Sequence, residues 1–305
     1  MNKFAKLYFL PLFLAFMLSA CANIKPQPDA SFSVVASTSI VADVVSQIAG
    51  EHVSVTSLVP SGSDPHSFEV RPQDLVRIEE ADLIILNGLG LESFLDQYIE
   101  NNPDSLRVAT LSDSLDIIYS EEESDERHVE EGDPHVWMDP LNVKVWAQQI
   151  AHALSKTDPD NAAAYAENLA SYLASLDELD AWAEQQIATI PVEERILITD
   201  HDALAYFARR YDFQIIGTVI PSISSLSEPS AADIAQLQDL INSLDAPAIF
   251  VGSEQNPDLA ERLAEDTGVQ VLPLYVGSLS TAEGPAASYL QLFRFDVNQI
   301  VEALR

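Results

Sequence analysis

The stretch DPDNAAAYAENLASYLASLDELDAWAEQQIATI, Asp158 to Ile190, contains no glycine and, after Pro159, no proline. It is rich in alanine, leucine and glutamate, residues that lose little on entering a helix. Asp158 followed by Pro159 has the form of a helix start: a capping side chain, then a ring already fixed at the φ of the first turn. Tyr165, Leu169, Tyr172, Leu173, Leu176, Leu179 and Trp182 form an apolar stripe at helical spacing, the mark of a packing surface rather than of a cofactor site. These signals predict one helix of roughly thirty residues, on the order of 45 Å long. It stands mid-chain, as a rigid strut would between two lobes.

On either side of it strands and helices alternate. Before it, Phe32–Ala36, Val53–Val59, Asp82–Leu86 and Arg107–Leu111 read as strands. Between and after them, Ile40–Ile48 (with Ser39 as N-cap), Pro72–Glu80, Leu91–Tyr98 and Val143–Leu154 read as helices. After it, strands are predicted at Ile196–Thr199, Phe213–Val219, Ala248–Val251 and Val269–Leu274. Helices are predicted at Ala203–Arg210, Ser230–Leu244, Asp258–Glu265 and Ala287–Leu304. The expected organisation is therefore α/β: a lobe over residues 32–157, the linking helix over 158–190 and a second lobe over 191–305.

The N-terminus is of another kind. Lys3 and Lys6 precede an apolar run from Leu7 to Leu18 that is too short to span a membrane. Residues 1–20 read as a signal peptide, and 21–31 as a tether with two prolines and no apolar pattern. Cys21 closes the run and is the sole cysteine, so no intrachain disulfide is available. Fifteen basic residues against 48 acidic ones give a formal charge of −33, which repels a phosphate backbone and excludes nucleic-acid binding as a function.

Asp-Pro-His occurs twice, at 64–66 and at 133–135, the second time within Gly132 to Pro140, Gly-Asp-Pro-His-Val-Trp-Met-Asp-Pro. Proline fixes its own φ and extends the residue before it, so each copy presents His66 or His135 from a stiff loop. His201 follows the strand Ile196–Thr199 and stands between Asp200 and Asp202. Six histidines occur in the chain, and these three stand at loop or strand-end positions with an acid nearby to hold the second ring nitrogen. A lone loop histidine is usually a solvated side chain; three aimed ones make a ligand set for a borderline-soft divalent metal. His66 and His201 fall at carboxyl ends of strands, where open α/β sheets place ligands, and the cleft between the lobes is the natural meeting place. His52 and His152 read as surface or interhelical residues. Glu121 to Glu131, seven acids around His128, reads as a solvated loop that could also gather cations.

Leu18 to Cys21 resembles the lipobox of bacterial lipoproteins. Together with residues 60–69, 133–140, 200–211 and 228–234, it makes the chain similar to the metal-receptor lipoproteins of bacterial zinc and manganese ABC importers. The resemblance covers about Phe32 to Arg305. It implies two Rossmann-like α/β lobes joined by one long rigid helix, metal in the interlobe cleft, and no reaction of its own. It further implies His66, His135 and His201 as metal ligands, a lipid on Cys21, a location outside the cytoplasmic membrane, a monomer, and an ABC permease as partner. Manganese-type members have glutamate where His201 stands, and many members take a further aspartate from the loop after the last strand. That position here is Gly277, which leaves a fourth place for water or another carboxylate, with Glu283 and the 121–131 acids as candidates. Imidazole-only ligation favours Zn2+, with Mn2+ or iron as the alternative. A metal-dependent hydrolase would use the same open site, but the chain contains neither His-Glu-x-x-His nor a nucleophile elbow. An adhesin with a structural metal would unfold when stripped, whereas a receptor would not.

Overall fold

The computed structural model describes residues 32–103, 106–119, 132–244 and 246–305. Cys21 and the 121–131 acids with His128 lie outside them. Two parallel four-stranded sheets form the frame. The first contains β1 (Phe32–Ala36), β2 (Val53–Ser57), β3 (Leu83–Leu86) and β4 (Val108–Thr110) in the order β2-β1-β3-β4. The second contains β5 (Ile196–Thr199), β6 (Gln214–Thr218), β7 (Ala248–Gly252) and β8 (Gln270–Leu274) in the equivalent order β6-β5-β7-β8. Helices α1 (Ser39–Ala49), α2 (Pro72–Glu80), α3 (Ser93–Asn101) and α4 (Pro140–Thr157) accompany the first sheet, and α6 (Ala205–Tyr211), α7 (Ala231–Leu244) and α8 (Asp258–Thr267) the second.

Side chains alternate across each strand, and the core divides accordingly. Val34, Ala36, Leu83 and Ile85 on one sheet, with Leu197, Ala248 and Phe250 on the other, belong to a single cluster that also takes in the long helices. Val35, Ile84 and Leu86 point the other way, onto Ile78 of α2 and Leu95 of α3. Ile198, Ile249 and Val251 do the same, onto Leu237 and Leu263. Both faces of both sheets are thus covered, as parallel sheets require.

The mid-chain helix forms, with its start moved. α4 runs to Thr157, and Asp158 terminates it, donating its N–H to the Leu154 carbonyl. A single 3-10 turn, Pro159–Asn161, follows before α5 spans Ala162–Ile187, 26 residues and about 39 Å. Asp158 does not cap it: its carboxylate accepts hydrogen bonds from the Asn161 amide and the Tyr165 hydroxyl. Tyr165, Tyr172, Leu176 and Leu179 are buried, while Leu169, Leu173 and Trp182 pack partly exposed against the same core. α5 lies against α4, α1 and the last helix, α9 (Tyr289–Leu304), which itself returns to touch α1. At α1 the cap is Thr38 rather than Ser39, its hydroxyl accepting the Val41 N–H.

Candidate metal centre

Each of the three histidines is set by an aspartate just before it. Asp64 Oδ1 accepts the His66 N–H at 2.9 Å and Asp133 Oδ1 the His135 N–H at 2.9 Å, so the repeated Asp-Pro-His tripeptide is a repeated Asx turn. Asp200 Oδ1 accepts the His201 N–H at 2.9 Å. Glycine precedes the second turn for a steric reason: a Cβ on Gly132 would stand 2.6 Å from Ile117 and 2.8 Å from Leu89.

The same carboxylates orient two of the rings. His135 Nδ1 donates to Asp133 Oδ1 at 2.8 Å, and His201 Nδ1 donates to Asp200 Oδ1 at 3.0 Å. Asp200 Oδ2 is fixed in turn by the Gly252 N–H at the end of β7, 3.0 Å away. Holding the proton on Nδ1 leaves each Nε2 with a bare lone pair directed inward. His135 Nε2 lies 3.1 Å from His66 Nε2 and 3.4 Å from His201 Nε2. His135 and His201 are buried, and His66 is the partly exposed member.

Two bare lone pairs at such a separation repel unless a cation stands between them. Among the described residues, the ligand atoms of His66, His135 and His201 form a group within 4.8 Å of one another, fit to hold a divalent metal. Burial, then the neighbouring His135 and His201 imidazoles, pushes the His66 pKa down to about 2, keeping that ring neutral. At His201 burial works in the same direction, but the Asp200 hydrogen bond and charge, with Glu254 and Asp64, outweigh it and raise the pKa.

The site draws on both sheets: His66 follows β2, His135 follows β4 and His201 follows β5. Bonds between distant segments hold these loops together. Ser225 Oγ donates to Asp64 Oδ2 at 2.8 Å, the Gly62 N–H to the Leu279 carbonyl at 2.9 Å, and Trp137 Nε1 to the Val276 carbonyl at 2.7 Å. His52 and His152 are exposed, as expected of surface residues. Glu283 is exposed as well and outside the converging group.

One acid near the site was not anticipated. Glu254, two residues beyond β7, accepts the Gly277 N–H through Oε1 at 2.6 Å. Its only signal in the sequence is a carboxylate just past a strand end. That it meets Gly277 depends on β7 pairing with β8, which no local pattern announces.

Residues 34–303 match the family profile described as ZnuA, Zinc-uptake complex component A periplasmic. The manganese-binding lipoprotein MntA of Halalkalibacterium halodurans is 35% identical over 272 residues, 89% of this chain and 88% of that protein. Among solved structures, the periplasmic zinc binding protein TroA from Treponema pallidum superposes with a TM-score of 0.82 at 29% identity, covering 89% of this chain and 98% of that one. A Mn-bound periplasmic metal binding protein from Candidatus Liberibacter asiaticus gives a TM-score of 0.79 at 31% identity, over 90% of this chain and all of that one. The fold, the histidine cluster between its lobes and these matches agree: the chain belongs to the ZnuA family of extracytoplasmic metal-binding receptors of ABC importers, and is a substrate-binding protein rather than an enzyme.

Proposed function

We propose that this chain captures a divalent transition metal on His66, His135 and His201 and hands it to the permease of an ABC importer, with Cys21 as the lipidated residue that anchors it outside the cytoplasmic membrane. The observation that carries this reading is the Nε2 spacing of 3.1 and 3.4 Å. A tetrahedral ion with nitrogen ligands at about 2.0 to 2.1 Å has ligand–ligand edges of about 3.3 to 3.4 Å. Asp133 and Asp200 prepare two of the rings before the ion arrives, so little has to be reorganised on capture.

For the cargo, two lines of support diverge. The all-imidazole set favours zinc, because manganese prefers oxygen donors. The relatives' names favour manganese: MntA is called manganese-binding, and PsaA of Streptococcus pneumoniae, 30% identical over 305 residues, is called a manganese ABC transporter substrate-binding lipoprotein. We assign zinc on the donor chemistry and keep manganese as the second reading on the relatives. Elemental analysis of protein purified without added metal, followed by competition between the two ions, decides. One zinc per chain that manganese cannot displace supports the assignment. Manganese bound as tightly as zinc transfers the cargo to the second reading, and no stoichiometric metal at all overturns the receptor.

A further inference from the structure

Three neutral imidazoles leave a tetrahedral ion one donor short and its double charge uncompensated. The carboxylates on the histidine loops and on the loops packed against them include Asp64, Asp133, Asp200 and Glu254. Asp200 is committed, with Oδ1 on His201 and Oδ2 on the Gly252 N–H. Asp64 is committed too, with Oδ1 on the His66 N–H and Oδ2 on the Ser225 hydroxyl. Asp133 is occupied behind His135. Glu254 alone of these four makes no hydrogen bond to a histidine.

Its position is built. The Ser253 N–H donates to the Leu274 carbonyl at 2.7 Å and the Gln255 N–H to the Gly252 carbonyl at 2.9 Å, a turn that directs the Glu254 side chain across to the loop after β8. There it fills the space a side chain at 277 would need. A Cβ on Gly277 would stand 2.6 Å from Glu254 Oε1 and 3.1 Å from Pro65 Cδ, the residue next to His66. Glycine at 277 and glutamate at 254 are thus one arrangement: the carboxylate occupies room beside Gly277 that a side chain there would need, and that same position borders Pro65 of the Asp-Pro-His turn.

We infer that Glu254 supplies the fourth, anionic donor to the metal held by His66, His135 and His201, reaching it from the end of β7 through the room that Gly277 leaves. The inference rests on the receptor reading above. Glu254 lies outside the group of atoms converging within 4.8 Å, so its carboxylate turns inward on loading. Oε1 can keep the Gly277 N–H while Oε2, whose partner is the exposed Ser253 hydroxyl at 3.2 Å, swings to the ion. The negative charge then comes from a side chain that can swing out again, which suits a site that has to release its cargo.

The test compares wild type, Glu254→Gln and His135→Ala by competitive zinc titration, with crystal structures of the zinc-loaded wild type and Glu254→Gln. Glutamine can still accept the Gly277 N–H, so the apo fold is preserved and equal melting temperatures without metal check this. The expected result is a glutamate oxygen on zinc in the wild type, and affinity reduced about tenfold or more in Glu254→Gln. Water as the fourth ligand in the wild type, with unchanged affinity in Glu254→Gln, overturns the inference while leaving the receptor intact. Unchanged affinity in His135→Ala overturns the receptor reading itself.

Discussion

The His201 imidazole is pulled in two directions, by burial toward the neutral form and by Asp200, Glu254 and Asp64 toward the charged one, and the acids win. Metal binds only the neutral ring, so a proton on His201 is its direct competitor. Because the pKa lies above the usual value of about 6.5, apparent affinity should already be falling when the pH drops to neutrality. Below the His201 pKa the proton on that ring should by itself cost about tenfold in affinity per pH unit. His66, held down near 2, adds nothing to that slope over the neutral range. Dissociation constants measured from pH 8 to 6 check this, and a flat profile would contradict it. The acids behind the rings have their own test. Asp133→Ala frees both the ring and the N–H of His135 and should weaken zinc by about 10- to 100-fold without touching the ion.

Among the elements, α2 shows how a helix start depends on one buried acid. Asp74 accepts the Arg71 N–H and Arg71 Nε at 3.0 Å, and Arg77 Nη1 at 3.0 Å. Burial tends to raise its pKa, but the Arg71 bonds and the two arginine charges outweigh it and lower the value. A pKa below the unfolded one means stability that is present at neutral pH and is lost as pH falls from about 4 through the folded value. Asp74→Asn should therefore cost about 1 kcal/mol at pH 7 in denaturant unfolding, and the two proteins should converge in acid. In α5, Leu176 is fully buried against the shared core, and Leu176→Ala should cost about 2 to 5 kcal/mol. The strands were legible because their apolar residues are continuous or alternate, and the three histidines because an aspartate stands one or two places before each, with a proline between at His66 and His135. The start of α5 was not, since Asp158 has two possible uses and the tertiary contact with Tyr165 selects the other. Glu254 was illegible for the same reason, its meaning arising only from a glycine 23 residues away.

Across the whole molecule, the two sheets share one continuous core through α1, α4, α5 and α9. The start of α1 and the loops that carry His66 and His135 are tied to the opposite lobe: Ser39 to Ser278 and Leu279, Gly62 to Leu279, Asp64 to Ser225, Trp137 to Val276 and Tyr289. With α5 as an unbroken strut, metal loading should move side chains and loops at the cleft more than it moves the lobes. Small-angle scattering of stripped and loaded protein should give nearly the same envelope, and a large compaction would refute the strut. The central claim, that His66, His135 and His201 together hold one exchangeable ion, is tested most directly by competitive zinc titration of reversibly stripped wild type beside His201→Ala. One ion per chain is predicted for the wild type, with the stripped protein still folded and the variant weaker by orders of magnitude. Equal affinity in the variant, or unfolding of the wild type when its metal is removed, would contradict the account.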